Sequence, residues 1–521
     1  MSTTSYDDVL YPSYTHSQTH PDRLATLATL NGLQPTPVAT SRILELACGQ
    51  GGNIIPLAVS YPQSHCVGID LSQRQIELGQ KVIDSLKLKN IELRTQSILD
   101  FPADPEPFDY IIAHGVYSWV PEAVRDKILQ ICRDHLSPQG VAIVSYNTFP
   151  GWHQRRMIRD MMIFHTKRFI EPAKRIEQAK AFLTFMTQAT GNESAYGRSL
   201  HEEFRMLSVS DESYLFHEQL EDVNEPVYFH QFADELAKHE LQYLCEVEQS
   251  NLQFERYPPQ IAEVLSKMEI IEREQYLDFF SRRTFRQTLM CHREVQVDRT
   301  SMASRIGELR LATTIPIGPP TTDQEHQPLV IKIGGGAELT IRDPQTKAAF
   351  VQLGMRWPSS IPYYELQAEV RKGLSLGSVV IQSQDDFERE SRSLAKSMTQ
   401  AFILGVISLH ASEPTFTVEV SERPVACPLA RHQAVSNERV TSRTHSAITL
   451  DPVARWIITK LDGSIDTGEV LELLLEYVAR EKISVQVEGQ ALTRPDEIRS
   501  HLQARLLPIL QHLAHQGLLI A

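Results

Sequence analysis

The feature that most constrains this chain is an apolar run that ends near an acidic residue and enters a glycine-rich turn. A second apolar run, which also ends in an acid, follows after a helical segment. Glycines let the backbone approach a ligand closely, and the helix after such a turn offers free N–H donors. This order predicts the first strand, ligand-binding turn and second strand of a Rossmann-like sheet. The two segments are Ile43-Leu44-Glu45-Leu46-Ala47-Cys48-Gly49-Gln50-Gly51-Gly52-Asn53 and Val67-Gly68-Ile69-Asp70.

Two classes of ligand use such a turn. A dinucleotide fold needs Gly-x-Gly-x-x-Gly to cradle pyrophosphate, but Ile54 stands where the third glycine would be. Glu45 at the strand end suits an ammonium group better than a phosphate. Asp70 lies 19 residues after Gly51, close to the spacing of a ribose-binding acid. The amino group and ribose of S-adenosylmethionine fit these two carboxylates, so the sequence favours this cofactor over a dinucleotide.

The predicted cofactor site extends to the ends of the next strands. Ala47 stands where such loops usually have their first glycine, and it is tolerated there if its φ is negative. Ser97 and Ile98 are expected beside the adenine, although an ordinary solvated loop is the alternative for Ser97. The predicted cofactor-binding residues are Glu45, Ala47, Gly49, Gly51, Asn53, Asp70, Leu71, Ser97, Ile98 and His114.

Strand-like and helical segments alternate from residue 42 to residue 146, which predicts a parallel sheet with helices on both faces. Two later runs, 241–247 and 285–291, are expected to complete a seven-stranded α/β sheet of the class I, Rossmann-like type. A helical insertion at about residues 152–225 follows the fifth strand. Ligands bind at the carboxyl edge of such sheets, so the insertion is placed to form a lid or a dimer surface.

The remaining chain is expected to hold α+β, winged-helix-like domains. This prediction rests on three helices and on a hairpin formed by residues 405–409 and 415–420. The predicted divisions are an N-terminal arm over 1–30, a methyltransferase domain over 31–298, a linker over 299–328, a winged-helix-like middle or regulatory domain over 329–423 and a C-terminal helical or winged-helix domain over 424–521.

Composition excludes several classes of protein. The chain has 521 residues and a net charge of -14, so nothing global favours nucleic acid or an anionic membrane. No apolar run reaches the roughly 18 residues that a membrane span needs, and the polar, acidic N-terminus does not resemble a secretory signal. The six cysteines are scattered without a Cys-x-x-Cys pair, which argues against a zinc site or a disulfide framework. We therefore expect a cytoplasmic protein with reduced thiols and no metal.

Several longer segments resemble a known family. Together with the 43–53 loop, they are similar to bacterial protein lysine methyltransferases that carry a methyltransferase regulatory domain, over most of residues 5–295. The resemblance implies methyl transfer to lysine side chains of proteins, including bacterial surface proteins, and an N-terminal arm with Tyr6, Tyr11 and His20 that closes over the cofactor. The segments are Phe108–Pro121, Val144–Trp152, Tyr6-Asp7, Tyr11-Pro12-Ser13 and Gln18-Thr19-His20-Pro21.

Polar and aromatic residues at the ends of the fourth and fifth strands are candidates for the acceptor site. A lysine must lose a proton before it attacks, which costs roughly 4–5 kcal/mol at pH 7, and an apolar channel lowers its pKa by desolvation. Tyr117 and Tyr146 are the principal candidates for positioning the amine. His114 has a cofactor contact as its alternative role, and Trp119 a packing role. The predicted catalytic residues are Tyr117, Tyr146, Asn147 and His114, and the predicted channel residues are Tyr11, Ser118 and Trp119.

Other functions remain open at this stage. The same fold methylates small molecules, and a winged-helix regulator could use it as a cofactor sensor or an inactive binder. A nucleic-acid-reading helix should be rich in arginine and lysine, but residues 362–372 offer Arg371 and Lys372 beside Glu365 and Glu369. We therefore expect a protein substrate that presents lysine, no nucleic acid, and a possible homodimer through the helical insertion.

Overall fold

A twisted sheet of seven strands organises the first three hundred residues. The computed structural model describes residues 13–102, 106–209, 211–248, 257–318, 327–333, 338–375, 384–481, 483–487 and 490–521. The strand order is β3-β2-β1-β4-β5-β7-β6, with β7 antiparallel to both of its neighbours. The strands are β1 Arg42–Leu46, β2 His65–Asp70, β3 Ile91–Thr95, β4 Phe108–Ala113, β5 Leu136–Asn147, β6 Leu241–Glu246 and β7 Phe285–His292.

Both faces of this sheet are buried because its strands carry almost continuous apolar runs. On β1, Ile43 packs into one apolar core while Leu44 and Leu46 pack into the other. The same alternation on β5 sends Ile143 to the first core and Tyr146 to the second. We call these the first and second face of the sheet. Because side chains alternate along a strand, Glu45 lies on the first face with Ile43, two residues before it.

Helices cover both faces and fill the connections, as the alternation predicted. Ser72 caps the helix after β2, since its hydroxyl accepts a hydrogen bond from the Gln75 N–H. The helices of this part are α1 Pro21–Leu30, α2 Ile55–Ser60, α3 Gln73–Leu86, α4 Glu122–His135, α5 Gly151–Thr166, α6 Pro172–Thr190, α7 Ala195–Ser208, α8 Glu212–Gln219, α9 Phe229–Lys238, α10 Pro259–Ser266 and α11 Ile270–Ser281.

The helical insertion after β5 consists of α5 to α8 and has an apolar cluster of its own. Ile158, Met162, Leu183 and Leu200 form part of this cluster, which is separate from the two cores of the sheet. The insertion therefore packs internally while it stands on the carboxyl side of β5.

The expected arm over 1–30 is shorter in the structure. Helix α1 begins at Pro21, and His20 caps it by accepting a hydrogen bond from the Asp22 N–H. Leu24 and Leu27 of this helix are fully buried in the core of the first face. The helical spacing of its leucines therefore makes α1 part of the main domain, and the arm ends at His20.

The middle of the chain differs from the prediction in two ways. Strand β12, Ile407–His410, pairs with β8, Arg310–Thr313, and not with residues 415–420. The expected linker thus contributes the central strand of a three-stranded sheet, β11-β8-β12. The pairing buries Leu311 and Leu409, which face each other in register. The other elements here are α12 Met302–Arg305, β9 Leu329–Lys332, β10 Glu338–Ile341, α13 Pro344–Arg356, β11 Ile361–Pro362, α14 Tyr363–Ser375 and α15 Gln384–Ile403.

The last hundred residues form a winged-helix unit. A short hairpin between its first two helices, β13–β14, is absent from the sequence-based prediction. Within the described residues, no helix is long and apolar enough to cross a membrane. The elements of this unit are α16 Pro428–Ala434, β13 Arg439–Thr441, β14 Ala447–Thr449, α17 Pro452–Ile458, α18 Thr467–Arg480, β15 Gln486–Val487, β16 Gln490–Ala491 and α19 Pro495–His515.

Candidate active site

Glu45 lies at the base of the glycine turn with one oxygen paired and one open. Its side chain is buried, and its Oε1 accepts a hydrogen bond of 2.8 Å from Asn53 Nδ2. Its Oε2 is also buried and has no hydrogen-bond partner among the described residues. Burial raises the pKa of this carboxyl to about 8, with a smaller contribution from the charge of Asp70. A buried carboxylate oxygen of this kind calls for a cationic or hydrogen-donating ligand.

Asp70 fixes the shape of the turn from the end of β2. Its Oδ2 accepts a hydrogen bond of 2.8 Å from the Gly49 N–H, and its Oδ1 accepts one of 2.9 Å from the Ser72 N–H. Gly49 has a φ of +55°, and no described atom lies within 4 Å of the position a Cβ would occupy there. The turn is therefore held from one side and leaves open space above Gly49.

Ala47 has a φ of +59°, so the condition under which alanine would be tolerated at little cost is not met. The left-handed conformation of a non-glycine residue costs roughly 1–2 kcal/mol. The strand before it and the Gly49–Asp70 contact after it fix the path of the chain, and they keep Ala47 in this conformation.

Asn53 connects the turn with two distant parts of the chain. Its Oδ1 accepts hydrogen bonds from the His16 N–H at 2.9 Å and from His445 at 2.7 Å, while its Nδ2 donates to Glu45. Thr19 lies within hydrogen-bond distance of the same amide. The prediction of Asn53 as a site residue rested on the turn alone and gave no sign of these partners.

The N-terminal arm lies directly on the turn. A Cβ at Gly52 would meet the Ser13 hydroxyl oxygen at 2.1 Å, so only glycine allows the arm to pass there. The His16 ring lies 4.2 Å from the ring of His114. The described part of the arm thus covers the site from Ser13 to His20. Tyr6 and Tyr11, predicted in the arm and channel, lie outside the described residues.

The residues predicted to lie beside the adenine of the cofactor follow β2 and β3, which are neighbours in the sheet. Leu71 is 61% exposed and Leu99 is 50% exposed, an unusual state for two leucines at one edge. Ser97 caps a short 3-10 helix by accepting a hydrogen bond from the Leu99 N–H, and Ile98 packs partly on the core of the second face. Uncovered apolar surface at this edge suits a flat aromatic ligand.

His114 lies at the end of β4, where it contacts both the N-terminal arm and strand β7. Its Nε2 accepts a hydrogen bond of 3.1 Å from the amide of Gln287, and its ring lies 6.1 Å from that of Phe285. Burial lowers the pKa of His114 to about 3, with a smaller effect from His16. The imidazole is therefore neutral at pH 7. Gln287 and Phe285 were missed as site residues because nothing local in the sequence shows that β7 returns beside β5.

Tyr117 and Tyr146 meet on the second face of the sheet, away from Glu45 and Asn53. Their rings lie 6.1 Å apart, and Tyr146 stacks on Phe232 of α9 at 4.3 Å. The Tyr146 hydroxyl is 3.2 Å from the Thr288 hydroxyl inside the core. Burial raises the pKa of both phenols. This placement argues against direct contact between Tyr146 and an acceptor amine, since the alternation along β5 turns its side chain inward.

The other predicted acceptor residues hold the strand ends together. Ser118 is buried, and its hydroxyl accepts a hydrogen bond of 2.9 Å from the Asn147 N–H. The Asn147 side chain is 5% exposed and donates to Asn224 at 3.2 Å. Trp119 packs edge to face on Trp152, in agreement with the packing role considered for it. Of this set, Asn147 lies on the first face with Glu45.

A cavity of about 340 Å³ opens beside His114 at the same edge of the sheet. Phe285, which is 42% exposed, and Gln287 form its side toward His114. Glu248 contributes an exposed carboxylate. The cavity is lined by Glu246, Glu248, Ser281, Arg282, Arg283, Thr284, Phe285 and Gln287.

Three protein-family models match successive parts of the chain. A methyltransferase domain matches residues 38–196, and a predicted methyltransferase regulatory domain matches residues 211–292. The third match, to residues 422–518, is described as the C-terminal winged helix domain of PKMT.

Two relatives match nearly the whole chain. An uncharacterized protein of Rickettsia prowazekii (strain Madrid E) is 33% identical over 99% of this chain and 93% of its own. The structure of PKMT2 from Rickettsia typhi is 30% identical over 98% of this chain and 100% of its own, with a TM-score of 0.88. The structure of that PKMT2 in complex with AdoHcy has a TM-score of 0.87. By contrast, demethylmenaquinone methyltransferase of Listeria monocytogenes is 28% identical over 22% of this chain and 49% of its own.

The fold, the turn and these matches define a class I methyltransferase that uses S-adenosylmethionine. AdoHcy is what remains of this cofactor after methyl transfer, so its presence in the PKMT2 structure agrees with the predicted cofactor. Within the class, the chain belongs to the bacterial protein lysine methyltransferase family that carries a regulatory domain and a C-terminal winged helix. The resemblance stated from the sequence is confirmed.

Proposed function

We propose that this protein transfers the methyl group of S-adenosylmethionine to lysine side chains of proteins, with bacterial envelope proteins as the first class to test. The observation that carries the proposal is the likeness to PKMT2 over almost the whole length of both chains. It includes the regulatory and winged-helix parts, which a small-molecule methyltransferase of the same fold has no need to share.

The cofactor is expected to lie across the turn and the ends of β1, β2 and β3. Glu45 Oε2 would take the amino group, and the Asp70 carboxylate at the end of β2 would accept from the ribose hydroxyls. Leu71 and Ile98 would flank the adenine, with Ser97 beside them. The open space above Gly49 leaves room for the backbone of the methionine part. The orphaned buried oxygen and this open space support the placement of the cofactor on these residues. When bound, it supplies a methyl group on a sulfonium, which is open to displacement by an amine.

The acceptor is expected to arrive through the cavity beside His114. Glu248 at its rim attracts a cationic lysine, while Phe285 and His114 offer a less polar path inward. A lysine that leaves water there is easier to deprotonate, because desolvation lowers its pKa. The lysine ammonium would lose one proton to solvent, and the neutral amine would then take the methyl group as the carbon–sulfur bond breaks. The products would be S-adenosylhomocysteine and a methylated ammonium group.

The proposed role of His114 is to shape this path, since Gln287 occupies its Nε2. Asn147 is the polar residue best placed to orient the amine from β5. Tyr117 is assigned a supporting role beneath the strand ends, and Tyr146 is not proposed to touch the amine.

The test is methylation of an envelope extract with methyl-labelled S-adenosylmethionine, followed by mass spectrometry of the digested proteins. We expect methyl groups on lysine, and no label when the lysines of the extract are blocked chemically beforehand. An Asp70→Ala variant serves as the control for cofactor-dependent labelling. Label that enters only small metabolites would refute the lysine acceptor while leaving the enzyme class intact.

A further inference from the structure

One turn of the winged-helix unit reaches the cofactor turn. The hairpin of β13 and β14 has residues 442–446 as its connection. His445 in this connection is 2% exposed, although turn residues usually face solvent. Its ring lies 5.1 Å from that of His20, and its Nε2 is 2.7 Å from Asn53 Oδ1. Both partners belong to the methyltransferase part of the chain.

The neighbouring contacts decide which atom of this pair donates. The His16 N–H donates to Asn53 Oδ1, and Asn53 Nδ2 donates to Glu45 Oε1, so the orientation of the amide is fixed. His445 must therefore carry its proton on Nε2 and donate it to Asn53. Burial lowers the pKa of His445 well below its usual range, which keeps the ring neutral in this tautomer.

The hairpin is attached on both sides of this contact. Arg443 Nη1 donates a hydrogen bond of 2.8 Å to the carbonyl of Val59, in the last turn of α2. Arg439 Nη1 donates to the hydroxyl of Tyr14 in the arm at 3.3 Å. His445 itself has a φ of +58°, a conformation that a non-glycine residue keeps only where its surroundings require it. The turn is thus shaped to deliver one side chain to Asn53.

We propose that His445 is a positioning residue of the cofactor site. It holds the Asn53 amide in the orientation that binds Glu45 Oε1, and so keeps Glu45 Oε2 available for the amino group of the cofactor. The inference rests on the cofactor placement proposed above and is independent of the methyl acceptor. It makes the winged-helix unit a structural component of the cofactor site.

Binding of S-adenosylhomocysteine by calorimetry tests this role without any acceptor. His445→Leu keeps the bulk of the side chain but loses the donor, and we expect it to bind about tenfold more weakly. His445→Gln restores an N–H donor and shares the same backbone cost, so we expect its affinity within about threefold of the wild type. Equal weakening in both variants would overturn the proposal, as would wild-type affinity in His445→Leu.

Two further measurements separate a positioning role from a merely structural one. His432→Ala removes an exposed contact between the same two parts of the chain, with Ser85, and should leave binding unchanged. The double variant Asn53→Ala/His445→Leu should bind S-adenosylhomocysteine no more weakly than Asn53→Ala alone, because each change by itself already breaks the hydrogen bond between the two residues. Additive losses, or weakened binding in His432→Ala, would overturn the proposal.

The unmodified protein offers a test that does not depend on how the variants fold. If the hairpin supports the cofactor site, the cofactor supports the hairpin by the same free energy. Hydrogen exchange of the amides in 442–446 should therefore slow when S-adenosylhomocysteine is added, while Gln486–Val487 at the far hairpin of the unit exchanges as before. Unchanged exchange in 442–446 at saturating ligand would contradict the proposal.

Discussion

The carboxyl of Glu45 sets a pH dependence at the scale of a single residue. Its raised pKa, about 8 and caused chiefly by burial, means that the unliganded carboxyl is protonated at pH 7. A bound ammonium group requires the ionised form, so binding must release a proton. Below pH 8 the proton competes with the ligand, and above it an α-amino group with a pKa of about 8 loses its own charge.

We therefore expect the affinity for S-adenosylhomocysteine to fall by up to about tenfold per pH unit below pH 8 and to be highest near pH 8. Calorimetry in two buffers of different ionisation enthalpy, at pH 6.5, should show release of about one proton. Glu45→Gln should bind more weakly and lose this dependence. Affinity that is flat from pH 6 to pH 8 would contradict the assignment of Glu45.

Ala47 carries backbone strain that glycine would relieve. Ala47→Gly should retain cofactor binding and raise the free energy of unfolding by about 1 kcal/mol, because glycine adopts positive φ without penalty. Ala58→Gly within helix α2 is the matched control, and it should lower the free energy of unfolding by about 1 kcal/mol. Denaturant unfolding measures both, and a destabilised Ala47→Gly would show that the methyl group makes contacts that outweigh the strain.

At the scale of elements, the apolar pattern of the sequence predicted the helices and strands that depend on neighbouring residues. The alternation of strands and helices over residues 42–146 is confirmed, because apolar runs there end at clear turn residues, as they do at strand β4 and helix α4. The partner of β12 was wrong, since its choice between residues 415–420 and β8 depends on burial across nearly a hundred residues of chain. His445 was missed for the same reason. Its turn is an ordinary polar one, and its contact with Asn53 spans 392 residues.

Strand β7 brings a buried arginine into the sheet, which local patterns also left unmarked. Arg286 is 1% exposed, and it donates to Glu246 at 2.7 Å and to Asp278 at 2.9 Å. Glu274 completes the set at 3.1 Å, and the Phe229 ring lies 3.9 Å from the guanidinium. Arg283 also lies 3.0 Å from Asp278 and 3.8 Å from Glu246, so removal of Arg286 would leave Glu274 without its ion pair and the other two carboxylates with one cation in place of two.

Arg286→Leu should consequently lower the free energy of unfolding by roughly 3–5 kcal/mol. Arg133→Leu is the control, because Arg133 forms ion pairs with Glu240 and Glu294 on the surface. Exposed pairs of this kind contribute about 0–1 kcal/mol. Equal shifts of the urea midpoint in the two variants would show that the buried ion pairs of Arg286 contribute no more to stability than the exposed pairs of Arg133.

At the scale of the whole molecule, the insertion presents apolar side chains to solvent. Ile170 is 95% exposed, Phe164 71% and Phe185 65%, which is more than a monomer usually leaves uncovered in one region. This surface supports the possible homodimer through the helical insertion, which stays a prediction.

Sedimentation of the purified protein should accordingly give the mass of a dimer, and Phe164→Asp together with Phe185→Asp should give a monomer that still binds S-adenosylhomocysteine. Phe280, 47% exposed on α11, provides a control when changed to aspartate. A monomeric wild-type protein would contradict the prediction.

The hydrogen bond between Asn53 and His445 also has a consequence for synthesis. A ribosome completes the turn, Glu45 and Asp70 early, but the partner that fixes Asn53 is translated nearly four hundred residues later. A nascent or truncated chain can form the sheet without forming the finished cofactor site. Methylation competence would then report that synthesis has passed the winged-helix unit and that this unit has docked on the cofactor turn.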